Sequence, residues 1–430
     1  TALPGMAEQL HDFWDSVLES GLCHIQDGQQ LKATFGGDLF PSHRENAVST
    51  AGLYIDTIVL PCPITRIAPL ARAYPDQVVA EMFVKHTLTA MTYRDVATAD
   101  IDPPIALILP SANDFNESEK QNVFSMAEPA MLKHAEYLYN RSFESIDHLR
   151  DFSSSLRTID DVIAELRGHD RLLFDTDWGS SPRAQLESAL SGNTPTATRA
   201  FSGFDPSVAG NQVFMACVGR MPQAAAAWQK AIHFGGTPLI NAETSFKYYS
   251  WYLEYEAAKS SGDQPDSVAM HVSHALSTEV DNNLAWLGQV PLETVIEIRR
   301  NGQAEELRSI LGEGVEELIS IKPGNYFRTA DQVVENIDKA FQEHQKKLLE
   351  SREKKLKLYG IDVGSCIATG SIAVTAALTQ NPTLGAISGL LGIAGLANLK
   401  DIKTNYQSIA EEEKVRKTSP TGLLFKHVKK

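Results

Sequence analysis

The sequence is short of the motifs from which chemistry is usually read. It has no GxxxxGK[ST], no GxGxxG after a strand-like run and no GxSxG, so the usual nucleoside-triphosphatase, dinucleotide and serine-hydrolase sites are missing. Cysteine is scarce. Cys23, Cys62, Cys217 and Cys366 stand apart without CxxC spacing, which argues against a disulfide framework or a structural zinc site and fits a reducing cytoplasm. Positive charge is also in deficit, 39 Lys and Arg against 54 Asp and Glu, for a net −15 that disfavours general nucleic-acid binding. No secretory signal opens the sequence, and residues 1–5 before Met6 read as a processing scar.

What is present is unevenly spread. Residues 361–399 carry no charge except Asp362. They form two apolar arms separated by Gln380-Asn381-Pro382, a helix-stopping turn, and this predicts a helical hairpin. Gly364 and Gly370 in the first arm, and Gly385, Gly389, Gly392 and Gly395 in the second, provide small positions where another helix can approach closely. Both mouths are basic: Lys346, Lys347, Arg352, Lys354, Lys355 and Lys357 precede the arms, and Lys400 and Lys403 follow them. Such flanks predict ends held on the cytoplasmic side of the inner membrane.

Charge is polarised along the chain in the same sense. From residue 339 onward there are 15 Lys and Arg against 8 Asp and Glu, or +7, which leaves 24 against 46, or −22, for residues 1–338. An acidic body joined to a basic, glycine-rich tail points to membrane lipid as the partner, because an anionic leaflet attracts each nearby basic group by about 1 kcal/mol. Insertion of a single copy is marginal. The second arm is short for a hydrocarbon core of about 30 Å, and its Gly and polar residues offset Leu and Ile. A homo-oligomer removes the difficulty if the Gly faces pack together and Ser365, Thr369, Ser371 and Thr375 bond across helices or line a wet interior.

The expected fold class is mainly α with a small N-terminal α/β unit and a C-terminal Gly-rich apolar helical hairpin. The expected divisions are an amphipathic helix and loop (6–48), an α/β domain (49–180), a helical domain (181–328), a basic stalk helix (329–359), the hairpin (360–410) and a basic tail (411–430). Leu10, Phe13, Trp14, Val17 and Leu18 recur at helical spacing in the first. Short apolar runs at 53–60, 105–109 and 172–174 read as strands between helices, with 22–48 as loop and no strand beyond residue 180. The helix over 241–259, crowded with Phe246, Tyr248, Tyr249, Trp251, Tyr252 and Tyr255, reads as buried and central. The final stretch from Gly422 mixes large apolar groups with lysines, which suits a frayed tail or an interfacial anchor.

Few residues carry candidate chemistry, and no cofactor is expected. His271 and His274 lie three apart on a predicted helix, where both imidazoles can face one metal. Leu172-Leu-Phe-Asp175-Thr-Asp177 places two carboxylates just past a strand-like run, suited to Mg²⁺-dependent phosphoryl chemistry. It resembles the opening motif of haloacid-dehalogenase-type phosphatases, although Trp178-Gly179 departs from their pattern. Arg141 and His148 are spaced as in the Arg…His motif of HEPN ribonucleases, which they superficially resemble.

The organisation as a whole resembles the membrane-disrupting effectors of bacterial antiviral defence and the pore-forming toxins, whose short hairpins insert only in an assembly. That resemblance implies an oligomeric channel or pore former whose acidic body answers to a regulatory ligand or partner protein. The alternatives are a soluble cytoplasmic helical interaction protein whose hairpin is an oligomer contact and, third, a metal-dependent hydrolase or nuclease.

Overall fold

The computed structural model describes residues 9, 12–13, 16–17, 19–25, 30–35, 47–62, 75–109, 117–174, 181–191, 205–240, 243–257, 267–277, 290–321, 326–358, 408, 411–412 and 414–428. It is mostly helical, with a small parallel sheet. Strands β1 (Lys32–Phe35), β2 (Thr57–Pro61), β3 (Ala106–Leu109) and β4 (Thr237–Leu239) lie in the order β3-β2-β1-β4, every pair parallel. The helices are α1 (Ala47–Ala51), α2 (Asp76–Thr92), α3 (Arg94–Ala97), α4 (Glu117–Tyr139), α5 (Ile146–Ser155), α6 (Ile159–Glu165), α7 (Pro182–Ser191), α8 (Ala209–His233), α9 (Glu243–Ala257), α10 (Ser267–Ser277), α11 (Leu292–Arg300), α12 (Ala304–Gly312), α13 (Val315–Ile321), α14 (Tyr326–Leu358) and α15 (Pro420–Val428). Residues 359–407, which include the whole stretch expected to form the apolar hairpin, lie outside the described residues.

The sheet differs from the sequence expectation in two neighbouring strands, the inner β1 and the edge β4. Lys32–Phe35 reads as loop because it lies in a Gly- and Gln-rich stretch, yet all four residues are buried and the Lys32 ammonium donates to the Ile25 carbonyl at 2.7 Å. Thr237–Leu239 is only three residues long and contains Pro238, which an edge strand tolerates because one side of its backbone has no ladder to complete. Gly235, at φ +58°, and Gly236 bring the turn out of α8 against β1, and a Cβ at Gly236 would stand 2.7 Å from the Lys32 carbonyl oxygen. Residues 172–174 are not a strand. Their backbone is engaged by side chains instead, with the Tyr248 hydroxyl donating to the Leu173 carbonyl at 3.0 Å and the Phe174 amide donating to Gln185 at 3.3 Å.

Two apolar cores meet along the chain. In the first, one sheet face (Ala33, Phe35, Ile58, Leu60, Ala106) is covered by α1, α3, α10 and the helices from α11 to α15. The other face, with Val59 and Leu109, is covered by Leu22, Ile25 and Phe234. The second core joins α4 to α9, and the aromatic helix α9 lies at its centre as expected, with Phe246, Tyr248, Tyr249, Trp251 and Tyr252 buried. Helix α10 serves both, sending Val272 and Leu276 into the first and Met270 into the second.

Local chemistry divides these helices. The span 146–165 is two helices because Ser145 and Thr158 each cap a new start, Thr158 in a reciprocal box with Asp161. Gly302 (φ +67°) and Gly314 (φ +76°) break 292–321 into three. Gly210 opens α8 flush against the end of α5. A Cβ there would overlap the Ser153 carbonyl oxygen and stand 2.8 Å from Leu156 Cβ. Gly210→Ala is therefore expected to destabilise the protein by about 1–3 kcal/mol through overpacking, read as a fall in thermal midpoint. An unchanged midpoint would mean that α5 and α8 separate freely.

Candidate functional site

The chain on either side of the apolar segment is built into one joint. Helix α14 enters it from the core: Val333, Ile337 and Phe341 are buried, and Asn336 donates to the Leu311 and Glu313 carbonyls at 3.2 and 2.9 Å. The first half of the expected stalk is therefore an integral core helix. Its second half carries Lys346 and Lys347 into solvent, and Arg352, Lys354, Lys355 and Lys357 lie on its last two turns.

After the apolar segment the chain comes back to the same helix. Arg416 donates to the Lys347 carbonyl at 2.7 Å, and the Phe425 ring stands 5.7 Å from Phe341 and 5.4 Å from His344. Leu423 and Leu424 are buried in the first core. The final stretch is thus a docked helix rather than an interfacial anchor, because its leucines find apolar partners in the body. Gly422 permits this approach. A Cβ at that position would overlap the Arg416 carbonyl oxygen and stand 3.0 Å from His344 Cε1. Burial, then the charges of Arg416 and Lys347, hold the His344 pKa below its ordinary value, so the joint is built around a neutral imidazole.

The basic residues of α14 and the apolar stretch from Gly422, which holds Phe425, stand out in the sequence, whereas His344 and Arg416 do not.

A second polar constellation lies in the helical part. Arg171 donates to the Tyr255 hydroxyl at 2.9 Å and to Glu254 at 2.5 Å, and its guanidinium lies 4.3 Å from the centre of the Tyr137 ring. Beneath it, His134 is fully buried, stacked on Trp251 at 5.2 Å, with Nδ1 3.1 Å from the Tyr255 hydroxyl. Burial first, then the Arg171 charge, drive the His134 pKa down to about 3, opposed by the Arg171 backbone. A cleft of about 450 Å³ adjoins this cluster, with Lys133, Arg167, Glu136 and Asp170 among its lining. Two cations face two carboxylates, so the cleft has room for a small ligand but no preference for either sign of charge.

The remaining candidates are placed as follows. His271 Nδ1 lies 2.8 Å from the Thr329 hydroxyl, linking α10 to α14, while His274 stacks on Phe246 with ring centres 3.5 Å apart. Asp175 and Asp177 lie outside the described residues. Among the described residues no group of three or more His, Cys, Asp or Glu is positioned to hold a metal ion. Arg141 lies 4.8 Å from the centre of the Phe152 ring, and His148 lies 5.6 Å from that of Phe143, so each packs on an aromatic ring. Gly364, Gly370, Gly385, Gly389, Gly392 and Gly395, expected to pack the hairpin, lie outside the described residues together with Lys400 and Lys403.

No family model, curated protein or solved structure matches this chain. The joint and its chemistry have to carry the functional reading.

Proposed function

We propose that the chain is a membrane-inserting effector: an acidic body that holds, and in an oligomer releases, a C-terminal glycine-rich hairpin into the cytoplasmic side of a cell membrane to form a channel or pore. One observation carries this reading. The two segments flanking the uncharged stretch are clasped together on a single body through Arg416 to the Lys347 carbonyl and through Phe425 to Phe341. Flanks clasped on one body suit an intervening stretch that leaves the body and comes back to it, as the two arms expected from the sequence would. Among the described residues no helix is long and apolar enough to cross a membrane; in this reading the spanning role belongs to the uncharged stretch 361–399.

The test is dye release from vesicles by the full chain, beside a variant in which residues 359–407 are replaced by a flexible linker. Helix α14 runs eleven residues past Lys347, about 16 Å, so about 15 Gly and Ser residues should span the gap. The intact chain is expected to release dye. The shortened one should keep its thermal midpoint and release none. Equal release by both, or none by either, would overturn the proposal.

A second reading, a soluble interaction protein, is favoured by α2, where Val84, Leu88 and Met91 recur at helical spacing and are all exposed. It predicts a full chain that stays out of lipid and detergent and associates through this face.

A further inference from the structure

The joint closes over a histidine in a place hostile to positive charge. His344 on α14 keeps 7% of its exposure, with the Phe425 ring 5.4 Å away and room for no side chain at Gly422, whose Cβ would stand 3.0 Å from the imidazole Cε1. Gly422 is the third residue of α15, and its amide donates to the Ser419 hydroxyl at 3.2 Å, which caps that helix. The imidazole thus faces the positive end of a helix, where a cation is unfavourable. Two full charges add to this. Lys347 is one turn along α14, Arg416 is fixed nearby by its bond to the Lys347 carbonyl, and with burial they hold the His344 pKa below its ordinary value. The surrounding elements offer no compensation. On the returning segment Glu412 pairs with Arg416 at 3.6 Å and Lys417 is exposed, as is Glu343 on α14. Helices α11 and α12, which also pack on α15, have Arg299 and Arg308 held by Asp56, and their carboxylates and Arg300 lie in solvent.

We propose that the joint is an acid-operated latch: a proton taken up by His344 drives α15 and the returning segment off α14, and so frees the chain that follows residues 361–399. The purpose of the latch rests on the membrane reading above, for which it names the trigger. The sign follows from the docked geometry. A docked imidazole binds its proton less tightly than a free one, so the undocked joint holds more protons; docking is fully favoured above about pH 6.5 and weakens as pH falls below it. Helix α15 is the part that yields. It is held by Leu423, Leu424 and Phe425 alone among its large apolar side chains, whereas α14 is anchored upstream by Val333, Ile337 and the Asn336 bonds to the Leu311 and Glu313 carbonyls.

Hydrogen exchange of the full-length protein at pH 7 and pH 5, with each amide rate divided by its intrinsic rate at that pH, reads the latch directly. Wild-type protection of α15 is expected to fall at least about fivefold at pH 5, with a ceiling of about thirtyfold set by a free imidazole pKa of about 6.5. In His344→Gln and His344→Phe, which have no titrating group at this position, the fall should be less than about twofold, whatever the protection at pH 7. Amides of α9 report global opening and should respond to pH alike in all three proteins.

Equal protection of wild-type α15 at the two pH values would overturn the latch, and so would an equal fall in wild type and both variants. Dye release from vesicles, followed on the same samples, separates the latch from insertion. A fall confined to wild type, with no dye released at either pH, leaves the latch standing and removes the membrane reading. Release at both pH values with α15 protection unchanged does the reverse. Release that rises at pH 5 in wild type and in neither variant supports both.

Discussion

Asp56→Asn is expected to lower the unfolding free energy by about 3–5 kcal/mol, a large share of the 5–15 kcal/mol typical of a folded chain. Asp56 sits where β2 begins. Its carboxylate accepts from Arg299 at 2.6 Å, from Arg308 and from the Leu31 amide at 2.9 Å. The side chains of Asp56, Arg299 and Arg308 retain only 13%, 5% and 12% of their exposure, so this is a desolvated pair of cations around one anion. Glu305 also engages Arg308 but is itself exposed, which makes it a weak substitute.

Burial tends to raise the Asp56 pKa. The Arg308 bond, the Leu31 amide and the two positive charges outweigh it and hold the carboxyl below its ordinary value. The sign follows: this stabilisation is full above the unfolded carboxylate pKa of about 3.9 and is lost as pH falls through the lower folded value. Denaturant titration of Asp56→Asn measures the loss. A shift below about 1 kcal/mol would mean that both guanidiniums regain water. As a control, Asp56→Leu combined with Arg299→Leu and Arg308→Leu should recover much of the loss, since removing a buried charge cluster whole is milder than removing one member.

Lowering the pH from 7 to 5 is expected to destabilise the protein by about 2 kcal/mol through His134 alone. The imidazole is neutral in the fold, with a pKa near 3, and takes up a proton near pH 6.5 when unfolded. Its folded pKa is depressed, so the unfolded chain binds more protons between those values. Stability is therefore complete above about pH 6.5 and declines as pH falls toward 3. His274, also shifted down to about 3 by burial and by the charges of His271 and Lys247, acts in the same direction with a smaller weight, because the residue keeps part of its surface in water. His86 and His344 share the sign.

His134→Phe preserves a ring against Trp251 and removes the proton. Its thermal midpoint should fall less steeply between pH 7 and pH 5 than that of wild type, whatever the midpoint at pH 7. Parallel pH profiles for the two proteins would rule out His134 as the titrating group.

Elements with strong internal periodicity were legible in the sequence. The aromatic helix α9 announces its own burial, and β2 and β3 are apolar runs bounded by proline. Strands β1 and β4 were not legible, for physical reasons that lie in tertiary structure. A buried Lys32 looks exposed until Ile25 offers a carbonyl, and Pro238 forbids a strand unless it is known to be at an edge. The joint was half legible. Lysines on α14 advertise themselves, whereas the Arg416 clasp is a contact to a backbone carbonyl, which no side-chain pattern encodes.

The order in which the joint is made has a consequence for synthesis. Helix α15 follows α14 by about 60 residues, so at 5–20 residues per second its translation lags by several seconds. Residues 361–399 are made within that interval, before the helix that packs Phe425 over Phe341 exists. A nascent chain in this window offers its greasiest segment to whatever is nearest, and a cell making this protein has reason to keep a holding factor, or a bilayer, within reach.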